Sequence, residues 1–305
     1  MDVQTSKVFA CTHLKNELTT MNRYVSLFSQ LYHVLAYSIK KPKMQLEKSM
    51  FIISIDVDVG DRELGLTNRG KNDANVSSRA HIGEYQVGET EEIALPLLVE
   101  TLNDVEIPVT FAVRGQLTEV NNSILELLLK SSVKHDIGAH GYYHKEFRNL
   151  SQNEAEDELK MISAGMKKFG ITPRSFVFPR NSVAHLNLLE KYGYKCYRGY
   201  GDFMNDCMYI EKQDQLYNIH PSLFLDQYVS SLFLRNILDI SVAKKLPFHA
   251  WSHLWNFGET KESIQQSINK RLIPLIKYAK KKEKKGLLSF ETMLSAALKV
   301  ESKLK

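Results

Sequence analysis

Apolar residues recur along this chain in two rhythms. From residue 50 onward, short runs (FIISI, PVTFAV, DIGAH, SFVF, KCYRGY, LYNI, PFHAW and LLSF) alternate with segments whose apolar positions repeat at helical spacing. Runs of this length, rich in β-branched and aromatic residues, predict buried strands. Strand and helix in alternation imply a parallel sheet, and about seven or eight such units favour a closed barrel over an open sheet. Ser151 with Glu154 forms a capping box, and Thr90 ahead of Glu91 and Glu92 marks a second helix start. The expected architecture is an α/β protein with a (β/α)7-8 barrel over residues 50–305, preceded by an N-terminal helical extension over residues 1–49.

Within the extension, YVSLFSQLYHVLAYSI runs from Tyr24 to Ile39 without a formal charge. It falls short of the roughly 20 residues a bilayer span needs, and Ser26, Ser29, Gln30 and His33 interrupt it. Tyr24, Leu27, Phe28, Leu31, Val34 and Leu35 share a helical face. That face is expected to pack on protein, with a second subunit or a membrane surface as the other readings. The long polar stretch from Asp61 to Glu89 leaves the first predicted strand and is expected to form a flap that shapes a substrate site.

Composition narrows the function classes. Hydrophobic residues make up 43% and charged residues 25%, ordinary values for a globular enzyme. The net charge of +5 owes much to KYAKKKEKK, which ends at Lys285 and reads first as a solvated helix end, then as a contact for anionic lipid or nucleic acid. Without zinc-finger spacing or a basic-aromatic motif beside it, nucleic acid is not an expected partner. Cys11, Cys196 and Cys207 show no Cys-x-x-Cys spacing, and the N-terminus lacks a signal-like apolar core. A reducing, cytoplasmic setting is therefore expected.

Two polar clusters at the ends of predicted strands carry the chemistry. Asp56 and Asp58 close FIISIDVDVG, where residues two apart face the same side. His140 and His144 follow VKHDIGAH, and an i, i+4 pair reaches one ion if it lies on a helical turn. Two imidazoles and two carboxylates suffice for a three-ligand divalent metal site, with zinc the best match and one carboxylate left over.

FIISIDVDVG, DIGAHGYYH, FVFPRN and PFHAWSHLWNF together resemble the motifs of the polysaccharide deacetylases, carbohydrate esterase family 4, from about Phe51 to about Met293. The resemblance implies a distorted barrel of that family's type and hydrolysis of an N-acetyl group on a sugar or glycan. It makes Asp56 the catalytic base, and Asp58, His140 and His144 the metal ligands. In the family's second motif a Ser or Thr usually follows the first histidine, where this chain has Gly141. The third motif usually has its arginine before the proline; here Arg180 follows Pro179, and it is expected to lie against Asp56, with Pro179 and Asn181 at the pocket rim. His253 matches the acid that protonates the leaving amine, with His249 as the alternative four residues earlier. A backbone amide near Tyr143 is expected to help hold the oxyanion. For the fourth motif's acid the chain offers Asp202 and Asp206 without a clear match. Tyr197 and Arg198 are at most sugar contacts, and His220 reads as strand-end filler.

The nearest rival is an allantoinase-like cyclic amide hydrolase of the same fold. A catalytically silent carbohydrate-binding protein is the rival from another class, and it needs neither base nor acid. A homo-oligomer, and peripheral membrane contact through the N-terminal helix or the basic C-terminal segment, stay open at this point.

Overall fold

The computed structural model describes residues 30–39, 41–58, 86–199, 208–225, 229–258 and 260–304. Ten strands form one sheet: β1 (Ser49–Val57), β2 (Thr110–Val113), β3 (Asp136–Ala139), β4 (Ser175–Val177), β5 (Cys196–Arg198), β6 (Ile210–Gln213), β7 (Leu216–Ile219), β8 (Leu223–Phe224), β9 (Pro247–His253) and β10 (Leu288–Glu291). Their order is β6-β7-β5-β4-β3-β2-β1-β9-β8, with β10 on the first half of β1. All pairings are parallel except the β6–β7 hairpin, which turns at Asp214 in the left-handed region (φ 53°). Each of the eight apolar runs of the sequence forms a strand; β6 and β8 are additions.

The sheet curls into a barrel whose ladder stays open at one seam. β7 runs through His220, Pro221 and Ser222 directly into β8, and β8 pairs with β9. His249 of β9 spans the seam by donating from Nδ1 to the Ile219 carbonyl at 3.1 Å. This is the distorted barrel expected from the sequence, held together at the seam by chain continuity and a side chain.

All nine residues of β1 are buried, as befits a central parallel strand covered on both faces. Its odd positions Phe51, Ile53, Ile55 and Val57 join the large core beneath the helices. Met50 and Ile52 join a smaller core inside the barrel, which Met293, Ala296 and Ala297 of the helix Met293–Leu304 plug from the amino ends of the strands. Further along the same inner side come Ser54 and Asp56. The interior thus changes from apolar to polar toward the carboxyl ends.

The capping box at Ser151 is present: its hydroxyl accepts from the Glu154 amide, and the Glu154 carboxylate accepts from the Ser151 amide, on the helix Gln152–Lys167. The other expected start needs correction. That helix spans Gln86–Asp104 and so begins ahead of Thr90. The flap expected over 61–89 lies outside the described residues except for its last four, which belong to this helix, and Asp202 and Asp206 lie outside them as well.

Of the N-terminal extension, the helical segment 30–39 packs on protein. Tyr37 is buried and donates to the Ser222 carbonyl at 2.6 Å, while Lys244 donates to the carbonyls of Tyr37 and Ser38 at 2.8 Å each. A cation on the last carbonyls of a helix also suits its dipole. Leu35 and Ile39 remain exposed. No helix among the described residues is long and apolar enough to cross a membrane.

Candidate metal and catalytic site

The two clusters meet at the carboxyl ends of β1 and β3. In-register pairing sets Asp56 beside His253 of β9, although 197 residues separate them in the chain. Asp56 and Asp58 are 1% and 3% exposed, a depth at which a carboxylate needs cations or donors to stay ionised. Asp58 Oδ2 lies 3.1 Å from His144 Nε2, which is 3.2 Å from His140 Nε2. The ligand-capable atoms of Asp58, His140 and His144 all lie within 4.8 Å of one another.

The histidine pair does not converge on a helical turn. It sits on a loop whose Gly141 (φ 67°) and His144 (φ 57°) are both left-handed. A Cβ at position 141 would come within 2.9 Å of Pro179 Cγ, so the glycine that departs from the family's Ser or Thr is a packing requirement here. Glu158 of the following helix, 1% exposed, holds the loop: its Oε2 accepts from the amides of Tyr142 at 2.7 Å and Tyr143 at 2.9 Å. The Tyr143 amide, expected to face an oxyanion, is therefore committed to Glu158.

The donor set fits a divalent ion. His140 Nδ1 donates to the Val177 carbonyl at 2.8 Å, which leaves Nε2 as the bare lone pair facing Asp58 and His144. Burial pushes His140 down to about 4, so it is neutral, as a ligand must be. Burial alone would raise Asp58, but the hydrogen bond from His144 and the nearby histidines hold it far below the usual carboxylate range. Two imidazole nitrogens and an anionic oxygen make the N2O set that zinc accepts, with room for a fourth ligand.

Asp56 stands beside this set. Its Oδ2 lies 2.5 Å from Arg198 Nη2, 3.7 Å from His253 Nε2 and 3.9 Å from His140 Nε2, while its buried Oδ1 has no hydrogen-bond partner among the described protein atoms. Burial would raise its pKa, yet the Arg198 charge, aided by His140 and His253, brings it below the ordinary value. His253 Nδ1 donates to Asn256 Oδ1 at 3.0 Å, and its ring stacks on Trp255 at 4.2 Å. The nitrogen nearer Asp56 is thereby Nε2.

Two expectations about residues shift. Arg180 does not lie against Asp56; it pairs with Glu146 at 2.7 Å on the loop after β4. The guanidinium at Asp56 belongs to Arg198, on β5, which the sequence offered only as a sugar contact. Its signal was an arginine in the middle of a run that reads as a buried strand, a place where a charge requires a partner. His249 lies deeper in the barrel, fully buried, with Nε2 2.8 Å from Ser54 Oγ, so of the two histidines His253 is the one at the site.

The polysaccharide deacetylase family model matches residues 91–197, which bears out the resemblance read from the motifs. The matched segment contains His140 and His144; Asp56, Asp58, Arg198 and His253 lie outside it. No curated protein sequence matches the chain. Among solved structures it is similar to a Mycobacterium smegmatis protein assigned to the polysaccharide deacetylases, at 15% identity and a TM-score of 0.63, covering 87% of this chain and 93% of that one. It is also similar to the allantoinase PuuE, at 10% identity and a TM-score of 0.57, covering 87% of this chain and 95% of that one. A third likeness is to 4-α-glucanotransferase from Thermococcus litoralis, at 13% identity and a TM-score of 0.56, covering 83% of this chain and 40% of that one. At such identities these likenesses establish the fold.

Proposed function

We propose that this chain is a divalent-metal-dependent hydrolase, with zinc the preferred ion, that removes an N-acetyl group from a sugar or glycan. The observation that carries the reading is the pairing of two sets of side chains in one cluster: an Asp58–His140–His144 ligand set and, within 4 Å of His140, an Asp56 carboxylate that also faces His253. A silent binding protein needs no such second pair.

Each residue then has a physical task. Asp58, His140 and His144 hold the ion, which when bound supplies Lewis acidity toward the amide carbonyl and acidifies water. Asp56 is ionised because Arg198 faces it, and it takes the proton of the attacking water. A carboxylate held below its ordinary pKa is a weak base, so it suits a nucleophile that has already been made acidic. His253 delivers a proton from Nε2 to the leaving amine, with Asn256 on Nδ1 and Trp255 against the ring keeping that nitrogen aimed. Trp251 and Trp255 flank His253, at 5.4 and 4.2 Å between ring centroids.

The test is acetate release by zinc-loaded protein from a panel of N-acetylated monosaccharides, oligosaccharides and sugar nucleotides, with allantoin included because the fold is shared with an allantoinase. Acetate from at least one acetamido sugar, lost on chelation and restored by zinc, is the expected result. Turnover of allantoin alone would give the site to the rival reaction. Stoichiometric zinc without turnover of any panel member would favour the binding protein.

A further inference from the structure

Below Asp56, the inner face of the barrel buries a column of polar groups that the hydrolytic steps do not use: Ser54, His249 and the far side of the Arg198 guanidinium. Ser54 and His249 are 0% exposed and Arg198 1%. An imidazole and a hydroxyl beside Ile52 cost desolvation that a valine or leucine would avoid. Their hydrogen bonds run in one forced direction. The Ile219 carbonyl can only accept, so His249 Nδ1 donates to it at 3.1 Å and Nε2 is left as an acceptor. Ser54 Oγ, 2.8 Å from Nε2, must donate its single proton there. Oγ then offers only lone pairs, and Arg198 Nη1 donates into one at 2.8 Å, while Nη2 of the same guanidinium donates to Asp56 at 2.5 Å.

We propose that His249 and Ser54 are positioning residues that aim Arg198 at Asp56, so that the base is set from the Ile219 carbonyl at the barrel seam. Among the described residues Ser54 is the only hydrogen-bond acceptor of Arg198 besides Asp56, and Arg198 Nε has none. Trp251 covers a face of the guanidinium at 4.6 Å, which leaves rotation within its plane as the freedom that Ser54 removes. Burial, with the Arg198 charge, pushes His249 down to about 3, so its lone pair stays available at every working pH. The inference rests on Asp56 being the base of the proposed reaction; the hydrogen-bond chain itself does not.

The test compares Ser54→Ala and His249→Leu with the hydrogen-bonding replacements Ser54→Thr and His249→Gln, in full-length, zinc-loaded protein whose fold and zinc content have been checked. A misaimed reacting group can cost about 100-fold. The expected result is a fall in kcat of up to about that size for Ser54→Ala and His249→Leu, with KM little changed and most of the rate kept by Ser54→Thr and His249→Gln. The double variant Ser54→Ala/His249→Leu should be no slower than Ser54→Ala alone, because the residues act through one chain. A crystal structure of Ser54→Ala supplies a readout independent of turnover, in which Arg198 should rotate away from Asp56. An unmoved Arg198, or wild-type kcat in folded Ser54→Ala, would overturn the proposal. If the wild type is inactive on every acetamido sugar, the deacetylase reading fails, and the Arg198 orientation still decides the positioning claim.

Discussion

Two aspartates mark opposite ends of the same sheet. Asp56, near the carboxyl end of β1, is almost wholly enclosed, yet Arg198 and two histidines hold its pKa below the ordinary value. Asp136, at the amino end of β3, is only half-buried beside a surface cavity, yet burial of its carboxyl group raises its pKa. The difference lies in the partners. Asp136 accepts from the Thr110 and Ser175 hydroxyls at 3.0 and 2.6 Å and from the Leu294 amide at 3.4 Å, and the Arg174 charge offsets its desolvation only in part. Neutral donors tie elements together; full cations keep a charge ready for chemistry. Exposure alone would have ranked the two the wrong way round.

The sharpest way to break this contrast is to remove one charge at each end. Asp56→Asn should keep zinc and lower kcat by about 10² to 10⁴-fold, the usual worth of a positioned general base. Asp136→Asn keeps an acceptor for both hydroxyls and should leave turnover intact, changing stability by about 1 kcal/mol or less in urea unfolding. Comparable turnover losses in the two variants would erase the distinction.

A smaller effect is expected where a carboxylate serves the site without touching it. Glu158→Ala frees the Tyr142 and Tyr143 amides and loosens the loop that carries both histidines. Supports of this kind are worth about 10 to 100-fold in metal affinity. Competition with a calibrated chelator should show a loss in that range, with Glu158→Gln less affected. Unchanged zinc affinity in Glu158→Ala would mean that the packing of Gly141 on Pro179 and the backbone bonds from Gly115 and Gln116 set the loop without it.

The last effect belongs to the amino end and appears only in acid. His135 Nδ1 accepts from the Val109 amide at 3.3 Å, and burial lowers its pKa from 6.5 to about 4. The unfolded chain therefore takes up this proton first. Stability is full above about pH 6.5 and is lost progressively as pH falls toward about 4. Urea unfolding of His135→Gln should show a shallower decline than wild type across that window. Equal slopes would show that His135 titrates alike in both states.

Much of this was legible because buried strands announce themselves. The apolar runs located eight of the ten described strands, and Asp56, Asp58, His140 and His144 sat at or just past their ends. β6 escaped because its sequence IEKQ pairs only at an edge, and β8 because it is two residues long. Arg198 was harder, since periodicity tells which side of a strand a residue faces but not which strand lies across the barrel from it. Glu158 had left a readable trace: it occupies an apolar stripe with Ala155, Leu159, Ile162 and Met166, where an acid is out of pattern.

The gradation along the inner side of β1 bears on how the chain finds its fold. Because both faces of this strand are buried, its run of Met50, Phe51, Ile52, Ile53 and Ile55 would tolerate a slip by one residue almost as well as the native alignment. Ser54, Asp56 and Asp58 would not. A single-step slip would press two carboxylates into the hydrocarbon under the helices and strand Arg198 without its counter-charge, at a cost of several kcal/mol. Ser54, Asp56 and Asp58 thereby act as a proofreading mark during assembly, rejecting the misaligned strand that greasy packing alone would have let pass.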